Sequence, residues 1–192
     1  SLMLQGAGRN LVPYLTVREN VEFAAAEARR LGAEVIGVDR GLELVGATDF
    51  ADVPLRQLSQ GQLQMAALAV AMAPAPGVLL ADEPTSALDR VARERIVEAL
   101  LRVNREQGTT VVVVTHDPEV AARLPRTVTI RDGRIGGEGR SGQEYAVVTA
   151  DGFVPLPAHI REELPPGTLL RIEPSGEGYL LVPEVKGEGG QE

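Results

Sequence analysis

Residues 78–89 read Val-Leu-Leu-Ala-Asp-Glu-Pro-Thr-Ser-Ala-Leu-Asp, and they determine the architecture that we predict for the chain. The four apolar residues are typical of a parallel strand that is covered on both faces. Two adjacent acids, Asp82 and Glu83, follow directly, and ligands gather at the carboxyl ends of such strands. Because side chains alternate along a strand, one acid can reach a hydrated Mg²⁺ while the other reaches a nucleophilic water. The alternative interpretation is a solvent-facing acidic pair.

A second motif, Leu58-Ser-Gln-Gly-Gln62, precedes the acidic pair by about twenty residues. Ser59 is a predicted N-cap of a helix that runs to about Met72. A helix start with a nearby glycine, here Gly61, presents free backbone N–H groups to a phosphate. The Ser59 hydroxyl and the Gln62 amide add donors. Structural capping alone is the competing interpretation, and the two are compatible.

Further along the chain, Thr110–Thr115 is a valine-rich strand candidate that ends in His116 and Asp117. A lone histidine is usually an ordinary surface or core residue. At the carboxyl end of a strand, immediately after the acidic strand, His116 can donate to a γ-phosphate and orient a water. Asp89 is the predicted cap of the intervening helix, and Gly108 its predicted end.

The composition restricts the possible functions. The chain has 192 residues, a formal net charge of -8 and no cysteine. The charge argues against broad electrostatic binding to nucleic acid or anionic lipid. Disulfides, thiolate catalysis and cysteine-ligated metals are excluded. No apolar run approaches the roughly 20 residues that span a bilayer, and the sequence predicts a cytoplasmic protein.

With these motifs in order, residues 3–137 resemble the nucleotide-binding subunit of an ABC transporter from its Q-loop onward. Gln5 resembles the Q-loop glutamine, and Leu58–Gln62 resembles the signature loop. Val78–Glu83 resembles the Walker B strand, Ser86–Asp89 the D-loop, and His116 the switch histidine. The segment Asn10–Val21 resembles the lipoprotein- and macrolide-exporter branch.

The resemblance implies a role for each residue and an ATP–Mg²⁺ cofactor. Asp82 would hold Mg²⁺ through water, and Glu83 would be the general base. Gln5 would sense Mg²⁺ and the attacking water, and would couple to a transmembrane permease. His116 would contact the γ-phosphate. The remaining predicted cofactor ligands are Ser59, Gly61 and Gln62 of the signature loop, which would contact ATP bound on a second, identical ATPase subunit, and Asp89 of the D-loop.

Several features depart from the family pattern. No Gly-x-x-x-x-Gly-Lys-Ser/Thr loop occurs in these residues, and the chain starts within a strand-like run at Ser1, which suggests an excised piece. We therefore expect no ATP hydrolysis by this chain alone, and an open hydrophobic edge on strand 78–81. Met65 and Val70 stand where the family often has arginine, which indicates either a specialised partner surface or apolar packing.

The C-terminal part has a different sequence pattern. Four strand candidates (145–148, 153–156, 169–172 and 179–182) are separated by turn residues, with a helical turn at 159–164. Residues 145–173 resemble the AbrB/MazE-type swapped-hairpin domain, which forms an intertwined dimeric barrel. Residues 141–192 contain three basic and nine acidic side chains, so dimerisation is favoured over DNA binding. A generic small β-barrel is the alternative.

These observations predict an α/β chain with a partial P-loop NTPase (ABC ATPase) fold, a helical subdomain and a small all-β C-terminal domain. The predicted segments are 1–77 (Q-loop and helical), 78–137 (ATPase core), 138–144 (linker), 145–185 (dimerising β domain) and 186–192 (disordered tail). We expect a location at the inner face of the cell membrane, through the permease. The alternatives are a partner half that supplies only its signature loop, or a DNA-associated regulator.

Overall fold

The computed structural model describes residues 1–131, 134–140, 143–148, 152–156 and 158–184. Two compact units, Ser1–Leu124 and Pro125–Glu192, make up the chain. The helices are α1 (Val17–Arg30), α2 (Val38–Val45), α3 (Gln60–Met72), α4 (Arg90–Gln107), α5 (Pro118–Arg123) and α6 (Ala158–Glu163). The strands are β1 (Leu2–Met3), β2 (Val78–Asp82), β3 (Thr110–Val114), β4 (Arg126–Arg131), β5 (Arg134–Arg140), β6 (Gln143–Tyr145), β7 (Leu170–Ser175) and β8 (Gly178–Pro183).

Local start and stop signals define the helices of the first unit. Thr16 Oγ1 accepts from the Glu19 N–H at 3.2 Å, and Glu19 Oε2 accepts from the Thr16 N–H at 2.7 Å, which completes a capping box at α1. Ser59 and Gln62 form the same box at α3. Gly46 ends α2 in the left-handed conformation, with φ of 73°. The predicted start of α3 at Ser59 is confirmed.

The first unit is organised around a three-stranded parallel sheet of order β1-β2-β3. Met3 lies opposite Ala81, and Asp82 lies opposite Val114. One face of the sheet carries Met3, Leu79 and Ala81, which are at most 1% exposed and belong to the core formed with α3 and α4. Because the strands are parallel, their carboxyl ends lie at one edge of the sheet.

Two expectations about β2 are wrong. The strand is covered on one face only, since Val78 and Leu80 are 47% and 46% exposed while Leu79 and Ala81 are buried. Its edges are not open either, because β1 and β3 pair with both of them. A continuous apolar run shows that both faces are apolar, and it does not show that both are covered. The exposed face continues onto the flanking strands through Leu2, Val112 and Val114.

In the second unit, β4, β5 and β6 form an antiparallel sheet. The predicted linker is contradicted here, because residues 138–140 and 143–144 lie in β5 and β6. Glycine-rich β5 is paired on both sides, since Val128 of β4 and Tyr145 of β6 both lie opposite Glu138. Neighbours on both sides supply backbone hydrogen bonds to β5, and Arg126 Nε donates to Glu138 Oε1 at 2.7 Å across β4 and β5. The Asp-Gly sequence at 132–133, which is typical of a hairpin turn, lies outside the described residues.

The rest of the second unit is a β7–β8 hairpin and the short helix α6. The strand candidates at 169–172 and 179–182 are confirmed with small shifts in their bounds, as is the helical turn at 159–164. Residues 153–156 are not a strand, and of 145–148 only Tyr145 is. The predicted disordered tail lies outside the described residues. Among the described helices, none combines the length and apolar character needed to cross a membrane.

Candidate nucleotide site

The carboxyl edge of the sheet brings together four of the predicted site residues. Gln5 follows β1 by two residues, Asp82 ends β2 with Glu83 next to it, and His116 follows β3 by two residues. The Glu83 N–H donates to the carbonyl of Val114 at 2.9 Å, which continues the β2–β3 pairing beyond the end of β2. This extra hydrogen bond brings Glu83 next to the loop that carries His116.

Glu83 and His116 are in direct contact. His116 Nδ1 lies 2.7 Å from Glu83 Oε1, and the His116 backbone N–H donates to the same oxygen at 3.0 Å. The second carboxylate oxygen, Oε2, accepts from the Thr115 hydroxyl at 3.5 Å. The Glu83 side chain is 15% exposed and that of His116 is 85% exposed. The pair therefore shares one site, with the carboxylate held inside and the imidazole facing solvent.

The contact changes the protonation of the imidazole. The hydrogen bond to Glu83 raises the pKa of His116 above its ordinary value of 6.5, and the negative charges of Glu83 and Asp117 add to this rise. The imidazolium form is thus favoured, with Nδ1–H donating to Glu83. The other ring nitrogen, Nε2, is then also a donor.

Glu83 occupies an unusual backbone conformation. Its φ is 45°, in the left-handed region that favours glycine, and Ala87 in the same loop has φ of 59°. The Ser86 N–H donates to the Glu83 carbonyl at 3.1 Å, so the chain turns as soon as β2 ends. The sequence contains no glycine at this turn, and its geometry was not predicted.

Asp82 and Gln5 contribute oxygen atoms at the same edge. Among the described residues, no group of three or more histidine and carboxylate side chains is placed to hold a metal. Mg²⁺ typically binds one or two carboxylates and completes its shell with waters and substrate phosphates. A carboxylate and an amide oxygen fit that requirement, so Asp82 and Gln5 suit a Mg²⁺ that arrives with a nucleotide.

The other predicted residues form a second group at two helix starts. Ser59 and Gln62 cap α3, and Asp89 caps α4 by accepting from the Ala92 N–H at 2.8 Å. These three residues and Gly61 line a cavity of about 420 Å³. A Cβ on Gly61 would lie 2.7 Å from the Cβ of Ala92, so the starts of α3 and α4 approach each other closely.

The two α3 residues that stand where the family often has arginine pack inward. Met65 and Val70 are partly buried and lie against the core, and Met65 Cε is 3.6 Å from where a Cβ on Gly46 would be. Apolar packing therefore accounts for both residues.

Residues 4–122 match the family model described as "AAA domain, putative AbiEii toxin, Type IV TA system", and the chain belongs to that family. Curated proteins similar to this chain include LolD and MacB proteins, whose names describe them as ATP-binding. The lipoprotein-releasing system ATP-binding protein LolD 1 of Caulobacter vibrioides is 40% identical over 134 residues, which are 66% of this chain and 55% of that protein. The macrolide export ATP-binding/permease protein MacB of Shigella flexneri is 42% identical over 132 residues, covering 66% and 19%.

Solved structures give the same result. The ATP-binding cassette MJ0796 bound to ADP and Pi superposes with a TM-score of 0.57 at 38% identity, covering 72% of this chain and 61% of that one. CbiO1 from Clostridium perfringens gives a TM-score of 0.64 at 27% identity, covering 73% and 56%. The matched part has the α/β fold of ABC cassettes and is LolD- and MacB-like. The chain spans about half the length of the LolD relatives that it matches.

Proposed function

We propose that this chain is the signature-bearing part of an ABC transporter ATPase and that its sheet edge acts on MgATP. The observation that carries the proposal is the Glu83–His116 contact at the carboxyl end of a parallel sheet, with Asp82 beside it. Glu83 is the general base that takes the proton of the attacking water. His116 donates from Nε2 to the γ-phosphate, and Asp82 and Gln5 bind the hydrated Mg²⁺. The ion, when bound, supplies positive charge to the phosphates.

Hydrolysis is tested in a chain that carries the missing phosphate-binding loop. An amino-terminal segment that contains a Gly-x-x-x-x-Gly-Lys-Ser/Thr sequence, fused ahead of Leu2, supplies this loop. We expect this fusion to hydrolyse MgATP, and we expect Glu83→Gln to lower turnover at least a hundredfold while nucleotide binding persists. Glu22→Gln, an exposed glutamate on α1, is the matched control. Unchanged turnover in Glu83→Gln would refute the role of Glu83.

The 192-residue chain alone is proposed to be inactive. It contains no Walker A loop, so one half of every composite nucleotide site is absent from a pair of such chains. Titration calorimetry with MgATP is expected to show no binding at micromolar concentrations. A micromolar dissociation constant would contradict this proposal and leave the catalytic roles at the sheet edge untouched.

A second candidate function is that of a partner half. The cavity lined by Ser59, Gly61, Gln62 and Asp89 offers the helix start of α3 to a nucleotide held by another subunit. The test adds this chain to a complete relative whose own signature serine is substituted. Restored hydrolysis that is lost again with Ser59→Ala supports the partner role, and no restoration argues against it.

The membrane partner is proposed to be a permease. MacB relatives are named ATP-binding/permease proteins, so the two activities occur together in those chains. We propose that this chain binds a permease at the inner face of the cell membrane, with Gln5 near the contact. Co-purification with the permease should weaken in variants of the exposed loop around Tyr14, which is 95% exposed.

For the C-terminal unit we propose dimerisation through an AbrB/MazE-like domain. A lone hairpin is marginally stable in water, yet β7 and β8 present an apolar face to solvent. Ile172 lies opposite Leu181, and Pro174 lies opposite Tyr179 on the same face. Ile172 and Tyr179 are 65% and 75% exposed. A second copy of this unit would cover the face.

Light scattering tests the dimer. Leu181→Asp places a charge on the apolar face, and we expect the dimer to dissociate. Leu180→Asp is the matched control, because Leu180 is similarly exposed and lies on the opposite face of the hairpin, with Glu173 as its cross-strand neighbour. The same mass for wild type and Leu181→Asp would argue against this face as the interface.

A further inference from the structure

Arg93, one turn into α4, joins two parts of the proposed site. Its backbone N–H donates to the carbonyl of Asp89 at 2.9 Å. Its Nη1 atom lies 3.1 Å from Asp117 Oδ2 and 2.9 Å from Glu119 Oε2. Since Asp117 is the neighbour of His116, the guanidinium connects the start of α4 with the loop that carries His116.

Burial distinguishes the two carboxylate partners. The side chains of Arg93 and Asp117 are 27% and 23% exposed, whereas that of Glu119 is 77% exposed. Nη1 donates a hydrogen bond to the exposed Glu119, and its contact with the less exposed Asp117 is an ion pair that solvent screens less. Among the described residues, Arg93 Nε is a buried nitrogen with no hydrogen-bond partner. Leaving such a donor unpaired is unfavourable, which indicates that the Nη1 contacts determine the position of the side chain.

From Asp117, hydrogen bonds lead on to the catalytic carboxylate. The Asp117 N–H donates to Thr115 Oγ1 at 3.1 Å, and the Thr115 hydroxyl donates to Glu83 Oε2. The His116 N–H donates to Glu83 Oε1. The loop 115–117 and the Glu83 side chain therefore form one hydrogen-bonded unit, and Arg93 is its connection to α4.

We propose that Arg93 is a positioning residue for the nucleotide site. It holds the loop 115–117 against the first turn of α4, which Asp89 caps. The position of that turn therefore determines how stably the His116 imidazole contacts the Glu83 carboxylate. The inference rests on the proposed roles of Glu83 and His116 and adds a physical link from the helix start at Asp89 to that pair.

The experiment observes the His116 imidazole of the 192-residue chain by NMR. The chain has two histidines, so the imidazole spectrum is simple to assign. Spectra are recorded at about pH 5.5, below the ordinary histidine pKa of about 6.5, so that the imidazolium form of His116 predominates. Arg93→Met removes the guanidinium and keeps an apolar stem. We expect its His116 Nδ1–H to exchange with water at least tenfold faster than in the wild type.

Conservative and control variants separate positioning from general stability. Arg93→Lys keeps a positive charge and removes the unpaired Nε, and it should restore the wild-type exchange rate. Glu119→Gln changes the exposed partner of the same Nη1 and should leave His116 unchanged. Asp89→Ala, which frees the first turn of α4, should reproduce part of the Arg93→Met effect, whereas Ser59→Ala at the cap of α3 should not.

The outcomes decide the proposal. Unchanged exchange in Arg93→Met, or an equal change in Glu119→Gln, overturns it. If circular dichroism shows that Arg93→Met is unfolded, Asp117→Asn takes its place. This variant loses the negative charge and keeps the side-chain oxygen that caps α5 by accepting from the Glu119 N–H. Unchanged exchange in Asp117→Asn also overturns the proposal. An unchanged His116 in Asp89→Ala overturns the link to the helix start. None of these measurements involves ATP turnover, so the proposed function is tested separately.

Discussion

Replacing Gly61 by alanine tests whether α3 and α4 meet as closely as the structure shows. The added Cβ would lie 2.7 Å from the Cβ of Ala92, and a Cβ essentially never lies within 3.0 Å of a non-bonded heavy atom. The obstacle is a methyl group fixed to the α4 backbone, so a side-chain rotation cannot relieve it. The two helix starts must separate by about 1 Å before the methyl groups reach ordinary van der Waals contact.

The magnitude follows from two opposing effects. Overpacking a well-packed contact costs about 1–3 kcal/mol. Replacing glycine in a helix lowers the free energy of the folded state by up to about 1 kcal/mol. We expect Gly61→Ala to lower the free energy of unfolding by about 1–2 kcal/mol in urea titrations. Gly41→Ala in α2 is the matched control, because its Cβ would meet Ile36 at an ordinary 3.9 Å, and we expect unchanged or slightly higher stability.

A double-mutant cycle isolates the contact between the two helices. Ala92→Gly removes the methyl group that Gly61→Ala would meet, so the double variant should recover at least about 1 kcal/mol relative to the sum of the single changes. Strict additivity, or a Gly61→Ala chain as stable as the Gly41→Ala control, would refute the close approach. The cavity beside Ser59 would then have a different shape from the one described.

Three further predictions concern single side chains. An NMR titration should place the pKa of His116 above 6.5, and Glu83→Gln should lower that pKa. The free energy of unfolding that the protonated pair contributes is fully present below pH 6.5 and is lost as pH rises through the raised pKa. Asn20→Ala should lower the free energy of unfolding by about 2–3 kcal/mol in urea titrations, since Asn20 is 3% exposed and bonds three backbone groups. In the same assay Leu79→Ala should cost about 2–5 kcal/mol and Leu80→Ala less than about 1 kcal/mol, because Leu79 is buried and Leu80 is 46% exposed.

Much of the first unit could be predicted from the sequence because its signals are local. A capping box needs only Thr16 and Glu19 at the right spacing, and it forms wherever the following residues are helical. Gly108 ends α4 with φ of 68°, which a glycine adopts without strain. The acids at the end of β2 and the histidine after β3 could be placed at one edge once the strands were assumed to be parallel.

Other features depend on contacts that the sequence does not show. Whether Leu80 is covered depends on what lies over the sheet. The strand at 134–140 depends on neighbours that supply hydrogen bonds to a glycine-rich backbone. The Arg93–Asp117 pair joins residues 24 positions apart through the packing of α4 beside the loop after β3. Each is a tertiary effect, so no window of local sequence contains it.

The turn at Glu83 shows where local preference and the proposed chemistry conflict. A left-handed conformation costs a non-glycine residue about 1–2 kcal/mol, and glycine would avoid that cost. Glycine would also remove the carboxylate that His116 contacts. The strain persists because β3 holds the Glu83 N–H and the loop after β3 holds its side chain. Residues that violate local rules while their surroundings fix them are concentrated at functional sites. The backbone strain at Glu83 therefore adds support to its proposed role in the nucleotide site.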